Sequence, residues 1–192
     1  MKNLILITFL LISFGVKAQT TKPIDGFLGI KFGSSAAEVT EALKAKGGVV
    51  RTSSPISITF TGLTLGSKKV VALFVHFVND KAYEATFAFY PDQEAQSIEY
   101  YNGLVNSVSD AYGPGKASKM FKQPYTDGDG YEITAIKSGN ADYHTYWQDD
   151  DNYILSKIEV ANDKINIKLY YDAGKLLKLN DDQQKEKNKS EF

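Results

Sequence analysis

Cysteine is absent from this chain of 192 residues, and arginine occurs once, at Arg51. The absence of cysteine excludes disulfide bonds and cysteine-based catalysis, so stability must come from a packed core. Histidine is also scarce, because His76 and His144 are the only imidazole groups available for acid–base chemistry. The composition therefore favours a protein without enzymatic activity, and we predict no cofactor.

Neither sign of charge is in large excess, with 22 basic and 23 acidic residues. Lys2 and Lys17 lie in the N-terminal segment that is interpreted below as a leader, so cleavage would change the formal net charge from −1 to −3. A slightly acidic, lysine-rich surface favours solubility and lacks the basic character of nucleic-acid-binding domains. We therefore expect no nucleic-acid partner.

A long apolar run is present only at the N-terminus, at residues 4–16. Val16 and Ala18 occupy the −3 and −1 positions of a signal-peptidase site, which predicts a secretory signal peptide at residues 1–18. The alternative is an uncleaved anchor, but the run is shorter than the roughly 20 apolar residues that span a bilayer. Gln19 stands where lipoproteins carry their lipid-bearing cysteine. We therefore expect a periplasmic or secreted protein without a stable membrane anchor.

Two segments show helical periodicity. In residues 35–46, Ser35 and Glu38 match the capping box S-x-x-E, and a Gly-Gly pair ends the segment. In residues 92–113, Asp92 is a suitable N-cap, and Gly-Pro ends the segment. The apolar stripe of this second helix consists of Ile98, Tyr101, Leu104, Val105, Val108, Ala111 and Tyr112.

Segments rich in β-branched and aromatic residues follow each helix and are separated by turn residues. The strand-like segments are residues 57–65, 68–78 and 82–90, and then 120–126, 130–138, 141–148, 152–160 and 164–172. The predicted fold class is α+β, with two helix–antiparallel-meander units whose helices pack on the sheet. We expect one domain at 25–179, a linker at 19–24 and a disordered tail at 180–192.

The motif Asn-Asp-Lys occurs in the last hairpin of each unit, at residues 79–81 and 162–164. Asn and Asp tolerate the positive φ angles that tight hairpins require. The repetition predicts an internal duplication of residues 33–91 and 92–173, unless two similar hairpins recur by chance.

Hairpin registers follow from keeping apolar side chains on one face. In the second copy, a two-residue turn opposes Val160 to Ile165 and Ile158 to Ile167. In the first copy, the same turn would oppose Val75 to Glu84, so a three-residue turn that opposes Val75 to Ala85 and Phe77 to Tyr83 is predicted instead.

Acidic and glycine-rich motifs suggest metal or phosphate binding at three places, but none meets the requirements of such a site. DGDGYE at 127–132 lacks oxygen ligands at the first and last positions of a calcium loop, where Tyr125 and Ile136 stand. DDD at 149–151 is interpreted as a solvated hairpin tip. GFLGIKFGSS at 26–35 has neither the P-loop lysine nor G-x-G-x-x-G spacing. We therefore predict no metal site.

The segment ADYHTYWQ, residues 141–148, alternates between an apolar face and a mixed face. Ala141, Tyr143, Thr145 and Trp147 are assigned inward, which leaves Asp142, His144 and Tyr146 outward. A two-residue turn at Asp149-Asp150 would oppose these three residues to Lys157, Leu155 and Tyr153, and the next hairpin would place Tyr170 opposite Leu155. The candidate binding residues are Asp142, His144, Tyr146, Tyr153, Leu155 and Tyr170.

Aromatic side chains on a nominally wet face are typical of a partner surface. The alternative, which we favour, is that the N-terminal segment, a helix or the tail covers them, because exposed patches of this size are uncommon in monomers. The functional hypothesis is a non-enzymatic binding protein whose partner is an envelope protein or a small apolar ligand. The alternative is a carrier of a small ligand or lipid, or a hydrolase with Asp142, His144 and Tyr146 in a cleft between sheet and helix.

Residues 33–47, GSSAAEVTEALKAKG, follow the pattern G-x-[ST]-x-x-[DE]-V-x-x-x-L. The segment resembles the opening of bacterial envelope modules, namely the β-lactamase-inhibitor-like domains and the small outer-membrane-assembly lipoproteins. It is also similar to secreted envelope proteins with no assigned activity. The resemblance implies a helix followed by antiparallel strands and a role in protein–protein binding. It covers about fifteen residues and transfers no functional residue, and the lipid-bearing cysteine of the lipoproteins is missing here.

Overall fold

The computed structural model of the chain describes residues 21–190, and the predicted signal peptide at 1–18 lies outside this range. Within the range the fold is α+β, as predicted, with one eight-stranded antiparallel sheet and two small two-stranded sheets. The helices are α1 (Ala36–Ala45), α2 (Ser97–Tyr112), α3 (Glu132–Lys137) and α4 (Gly174–Ser190). The strands are β1 (Gly26–Phe27), β2 (Ile30–Lys31), β3 (Val49–Ser53), β4 (Ser57–Thr61), β5 (Thr64–Leu65), β6 (Lys68–Lys69), β7 (Ala72–Val78), β8 (Lys81–Phe89), β9 (Lys116–Phe121), β10 (Ala141–Asp149), β11 (Asn152–Ala161) and β12 (Lys164–Ala173).

The large sheet is assembled from two sets of four adjacent strands. Its order is β3-β4-β7-β8-β12-β11-β10-β9, so the last strands of the two sets, β8 and β12, pair at the centre. Each set follows a helix, α1 or α2, in the predicted helix–meander order. Strand β3 and the β1–β2 hairpin were not predicted. The β5–β6 hairpin forms at the predicted turn between segments 57–65 and 68–78, but each of these predicted strands is divided, the first into β4 and β5 and the second into β6 and β7. Two-residue strands show no periodicity, and the largely exposed edge strand β3 has no apolar face.

Positions in the two sets can be matched through the hairpin pairs that precede the central ladder, with the extra residue of the β7–β8 bulge left out. Because Val75 pairs with Ala85 and Ile158 pairs with Ile167, Ala85 corresponds to Ile167 in the other set. By the same count, Phe87 corresponds to Leu169 and Phe89 to Tyr171. The ladder pairs Phe87 with Leu169, Ala85 with Tyr171, and Phe89 with Ile167. The central pairs of this ladder are thus formed between apolar residues of both sets.

The two Asn-Asp-Lys turns have the same length but different flanking strands. All four Asn and Asp residues have φ between 50° and 59°, and the register predicted for the second turn is confirmed. The three-residue turn predicted for the first hairpin is wrong, because Val78 pairs directly with Lys81. A β-bulge restores the predicted pairing of Val75 with Ala85. The bulge arises where Ala82 forms two main-chain hydrogen bonds with residues 33–34, just before α1.

One face of the sheet, here called the inner face, carries the main core. Helices α1, α2 and α3 pack on it, together with the β1–β2 and β5–β6 hairpins. The predicted capping box of α1 is confirmed, because Ser35 accepts a hydrogen bond from the Glu38 main chain and Glu38 accepts one from Ser35. Helix α2 buries Tyr101, Leu104 and Val108, three members of the predicted stripe.

Helix α2 begins later than predicted. It starts at Ser97 after a 3₁₀ turn at Glu94–Gln96, and its N-cap Gln96 makes no side-chain capping bond. The predicted cap Asp92 lies outside the helix. Glu94 instead accepts hydrogen bonds from the Ile165 main chain at 3.3 Å and from Lys137 at 3.1 Å, so tertiary contacts fix this turn.

The segment 130–138, predicted as a strand, contains helix α3. The carboxylate of Asp129 accepts hydrogen bonds from the main-chain N–H groups of Thr126 and Tyr131, and Glu132 accepts one from Gly128, all at 2.8–2.9 Å. Such local bonds stabilise a turn that leads into a helix instead of a strand. The DGDG motif at 127–130 is therefore a turn that leads into α3.

The two ends of the domain also differ from prediction. Ile24, assigned to a linker, is 3% exposed, and its main chain is hydrogen-bonded to Asp149 and Asn152. Residues 180–190, assigned to a disordered tail, belong to α4, whose Leu, Lys and Gln residues have good helix propensity. Within residues 21–190, no helix has the length and apolar character needed to cross a bilayer.

Candidate interaction surface on the outer sheet face

The six candidate residues lie together on the face of the sheet opposite α1, α2 and α3, here called the outer face. Three adjacent strands supply them, β10, β11 and β12. All six side chains are half-buried, whereas the alternating residues Tyr143, Thr145 and Trp147 are buried on the inner face. The structure therefore brings together Asp142, His144, Tyr146, Tyr153, Leu155 and Tyr170.

The register between β10 and β11 differs from the predicted one by two residues. Tyr146 pairs with Leu155 and His144 with Lys157, because Asp149 and Asn152 close the hairpin. The predicted turn at Asp149-Asp150 is therefore wrong. Asp149 remains in the strand because its side chain accepts the Ile24 N–H at 3.1 Å while Asn152 donates to the Ile24 carbonyl at 2.8 Å. A shift of two residues keeps the same side chains on the same face.

An outer row of directly paired residues crosses seven strands from β4 to β9. Leu155 pairs with Tyr170 on one side, as predicted, and with Tyr146 on the other. The rings of Tyr146 and Tyr153, which are diagonal neighbours, lie 5.6 Å apart. The complete row is Thr59, Phe74, Thr86, Tyr170, Leu155, Tyr146 and Lys116. It forms a continuous stripe with aromatic residues at three of its seven positions.

His144 and Asp142 form a hydrogen-bonded pair beside this row. The His144 Nδ1 lies 2.7 Å from an Asp142 carboxylate oxygen, and the Lys157 ammonium lies 3.8 Å from the other oxygen. Both residues line an open depression of about 550 Å³, together with Tyr146, Leu155 and strand β9. The pair has the geometry in which a carboxylate orients an imidazole.

A second polar group lies on the same side of the row, on β11 and β12. The Tyr170 hydroxyl donates to a Glu159 carboxylate oxygen at 2.7 Å, and Lys168 lies 2.8 Å from the other oxygen. Burial raises the pKa of Tyr170, and the bond to Glu159 raises it further. Burial alone would raise the pKa of Glu159, but the bonds from Lys168 and Tyr170 outweigh it and lower the pKa. The tyrosine is therefore neutral and fixed in orientation.

An acidic cluster adjoins the outer row, and it was not predicted. Asp172 is 4% exposed and pairs with Glu84 across the central ladder. Burial raises the pKa of Asp172 to about 7, the charge of Glu84 adds to the increase, and Tyr153 opposes it. The imidazole of His76 is half-exposed and lies 3.9 Å from the Glu84 carboxylate. The alternation of β12 places Asp172 on the same face of the sheet as Tyr170, which the sequence alone indicates. Its acidic neighbour Glu84 belongs to the other helix–meander unit, so the sequence pattern does not reveal their proximity.

Helix α4 covers only one end of the outer face. Leu176 and Leu177 pack on Val78, Tyr83 and Ala173 at the β7–β8 hairpin end, and every residue from 181 to 190 is exposed. From the sequence we favour the alternative that another segment, such as a helix, covers the aromatic side chains. Helix α4 provides such a cover only at this end of the outer face. The six candidate residues keep partly exposed side chains.

Comparison with known proteins adds no assignment: no protein family, no curated protein and no solved structure matches the chain at a significant level.

Proposed function

We propose that the protein is a non-enzymatic binding protein of the bacterial envelope, and that the outer face around Tyr146, Tyr153, Leu155 and Tyr170 binds a partner protein. The observation that carries the proposal is the half-exposed stripe of directly paired aromatic and apolar side chains on neighbouring strands. Tyrosine is enriched in protein interfaces because a rigid ring supplies contact area at low entropic cost.

The charges around the stripe have the distribution of an interface rim. Asp142 with Lys157, and Glu159 with Lys168, form ion pairs on one side of the apolar positions, and the acidic residues Asp172 and Glu84 lie on the other side. A hydrophobic centre with a polar rim is the usual organisation of a protein interface. The apolar leader at residues 4–16 and the resemblance of residues 33–47 to envelope modules support the location and the class of partner.

The double variant Tyr146→Ser/Tyr153→Ser should lose at least about tenfold in captured partner, because centrally placed tyrosines contribute roughly 2 kcal/mol or more at interface hot spots. The measurement is capture of envelope proteins by tagged residues 19–192, followed by quantification of what co-purifies. Circular dichroism of both proteins must first show the same content of strand.

The matched control is Tyr125→Ser/Tyr131→Ser. These tyrosines lie in the segment between β9 and α3, and Tyr131 is 63% exposed. The control makes the same chemical change away from the outer row and should capture as much partner as the unaltered protein. Equal capture by the Tyr146/Tyr153 variant and the control would contradict the proposed surface.

A hydrolase is the second candidate, favoured by the pairing of Ser118 with His144 across β9 and β10. Ser118, His144 and Asp142 all line the same depression, although the serine makes no hydrogen bond to the imidazole among the described residues. If this alternative holds, the protein hydrolyses an activated ester such as p-nitrophenyl acetate, and His144→Ala lowers the rate by about 10²-fold or more. Turnover no faster than the buffer reaction would reject it.

A further inference from the structure

A second concave site lies on the inner side of the sheet, where the two helix–meander units meet. It is a cleft of about 400 Å³ between the end of α1 and the middle of α2, bordered by the β5–β6 hairpin and by Tyr171 of the central strand β12. Its size falls within the range of small-molecule sites, which are frequent where two structural units meet. None of the six residues discussed for the outer face lines it.

The floor of the cleft is apolar. Leu104 and Val108 of α2 and Tyr171 of β12 are buried core residues that also line the cleft. Tyr171 packs edge-on against Tyr112 with ring centroids 6.3 Å apart. From Leu104 to Tyr112, the last residue of α2 that lines it, the cleft extends about 12 Å, at roughly 1.5 Å of rise per residue. This floor suits one extended alkyl chain.

The rim of the cleft is positively charged. Lys22, Lys46 and Lys68 are among its fourteen lining residues, and none of the fourteen is Asp or Glu. Two of the lysines are held against α2, because the Lys22 ammonium lies 5.4 Å from the centre of the Tyr112 ring and the Lys68 ammonium lies 4.2 Å from that of Tyr100. A formal charge of +3 around the site is unusual here, since the whole chain carries −1.

We propose that this cleft binds a single-chain amphipathic anion, with its alkyl chain on the floor formed by Leu104, Val108 and Tyr171 and its charged head among Lys22, Lys46 and Lys68. The apolar floor disfavours a small inorganic anion, which would leave that surface covered only by water. The lysines disfavour a neutral or cationic amphiphile. A volume near 400 Å³ is too small for a lipid with two long chains.

The proposal predicts that decanoate binds the protein below its own aggregation concentration, measured by isothermal titration calorimetry. Decanol and decyltrimethylammonium, which have the same chain without the negative charge, should bind at least tenfold more weakly, and acetate should not bind. Decyl phosphate tested in parallel identifies the preferred head group. Equal affinity for decanoate and the cationic amphiphile would overturn the proposal.

Two variants locate the site. Lys46→Glu/Lys68→Glu should weaken decanoate binding at least tenfold by reversing the rim charge, whereas Lys178→Glu/Lys185→Glu, the same change on α4, should alter it less than twofold. Ser107→Trp fills the mouth of the cleft from an exposed position on α2 and should also weaken binding at least tenfold. Since these side chains are outside the core, loss of folding does not confuse the result. Undiminished binding by Ser107→Trp would exclude the cleft.

Discussion

Asp172→Asn should raise the free energy of unfolding by up to about 4 kcal/mol at pH 8 and leave it nearly unchanged at pH 4. The expected gain comes from removing a carboxylate that is buried beside another acidic residue. Asparagine has the same shape and still offers an oxygen to the hydroxyl of Tyr153. The variant is therefore expected to be more stable than the natural protein wherever Asp172 would be ionised.

The sign follows from the direction of the pKa change. Folding raises the pKa of Asp172 from 3.8 to about 7, because burial and the charge of Glu84 disfavour the ionised form. Below pH 3.8 the carboxyl is protonated in both states and has no effect on the pH dependence. Between pH 4 and 7 the unfolded chain releases the proton while the folded chain retains it, so stability falls as pH rises through this window. Above pH 7 the loss is complete.

The measurement is urea unfolding of both proteins at pH 4, 6 and 8. Asp110→Asn changes an exposed aspartate on α2 in the same way and should shift stability by no more than about 0.5 kcal/mol at each pH. Glu84→Gln removes the charged neighbour and should reproduce part of the gain at pH 8. A variant that is less stable than the natural protein at pH 8 would show that the ionised carboxylate is net stabilising.

This cluster adjoins the surface proposed to bind a partner, because Tyr153 contributes to both. Groups that lower stability are retained where they serve binding, and natural proteins commonly lose stability at such sites. The expected gain on removing the Asp172 charge therefore agrees with a functional role for this part of the outer face.

Local patterns in the sequence were sufficient to predict which face each strand presents. Alternation in residues 141–148 placed Tyr146 outward and Trp147 inward, and both assignments are confirmed. The apolar pattern of β11 and β12 also fixed the pairing of Leu155 with Tyr170. These features depend on residues that are close in sequence, so a period of two and a short turn determine them.

Features that depend on distant contacts, or on side-chain bonds to the neighbouring main chain, were missed. The turn after β10 is displaced because Ile24, more than a hundred residues away, bonds to Asp149. Helix α3 was missed because bonds of the Asp129 carboxylate to its neighbours outweigh the strand propensity of the segment. The proximity of Glu84 to Asp172 required the pairing of β8 with β12, which no local pattern indicates.

That same central pairing leads to the second large effect: Phe87→Ala should lower the free energy of unfolding by about 3–5 kcal/mol. Phe87 is fully buried, lies opposite Leu169 in the ladder that joins the two units, and packs against Tyr171 with ring centroids 5.7 Å apart. Truncation of the Phe87 side chain removes its packing against residues of its own unit and against Leu169 and Tyr171 of the other unit. We therefore expect one cooperative transition that shifts as a whole.

Trp147 provides the measurement, because it is the only tryptophan and lies in β10, in the unit that does not contain Phe87. If the sheet unfolds as one unit, the urea midpoint of Trp147 fluorescence should fall by the same amount as the midpoint from circular dichroism. Ile56→Ala, a truncation in the first unit at a side chain 66% exposed, should change neither midpoint appreciably. A Trp147 transition unaffected by Phe87→Ala would mean that the two units fold independently, and Lys46 and Lys68 of the first unit would then have no fixed position over the floor of the cleft, which the second unit supplies.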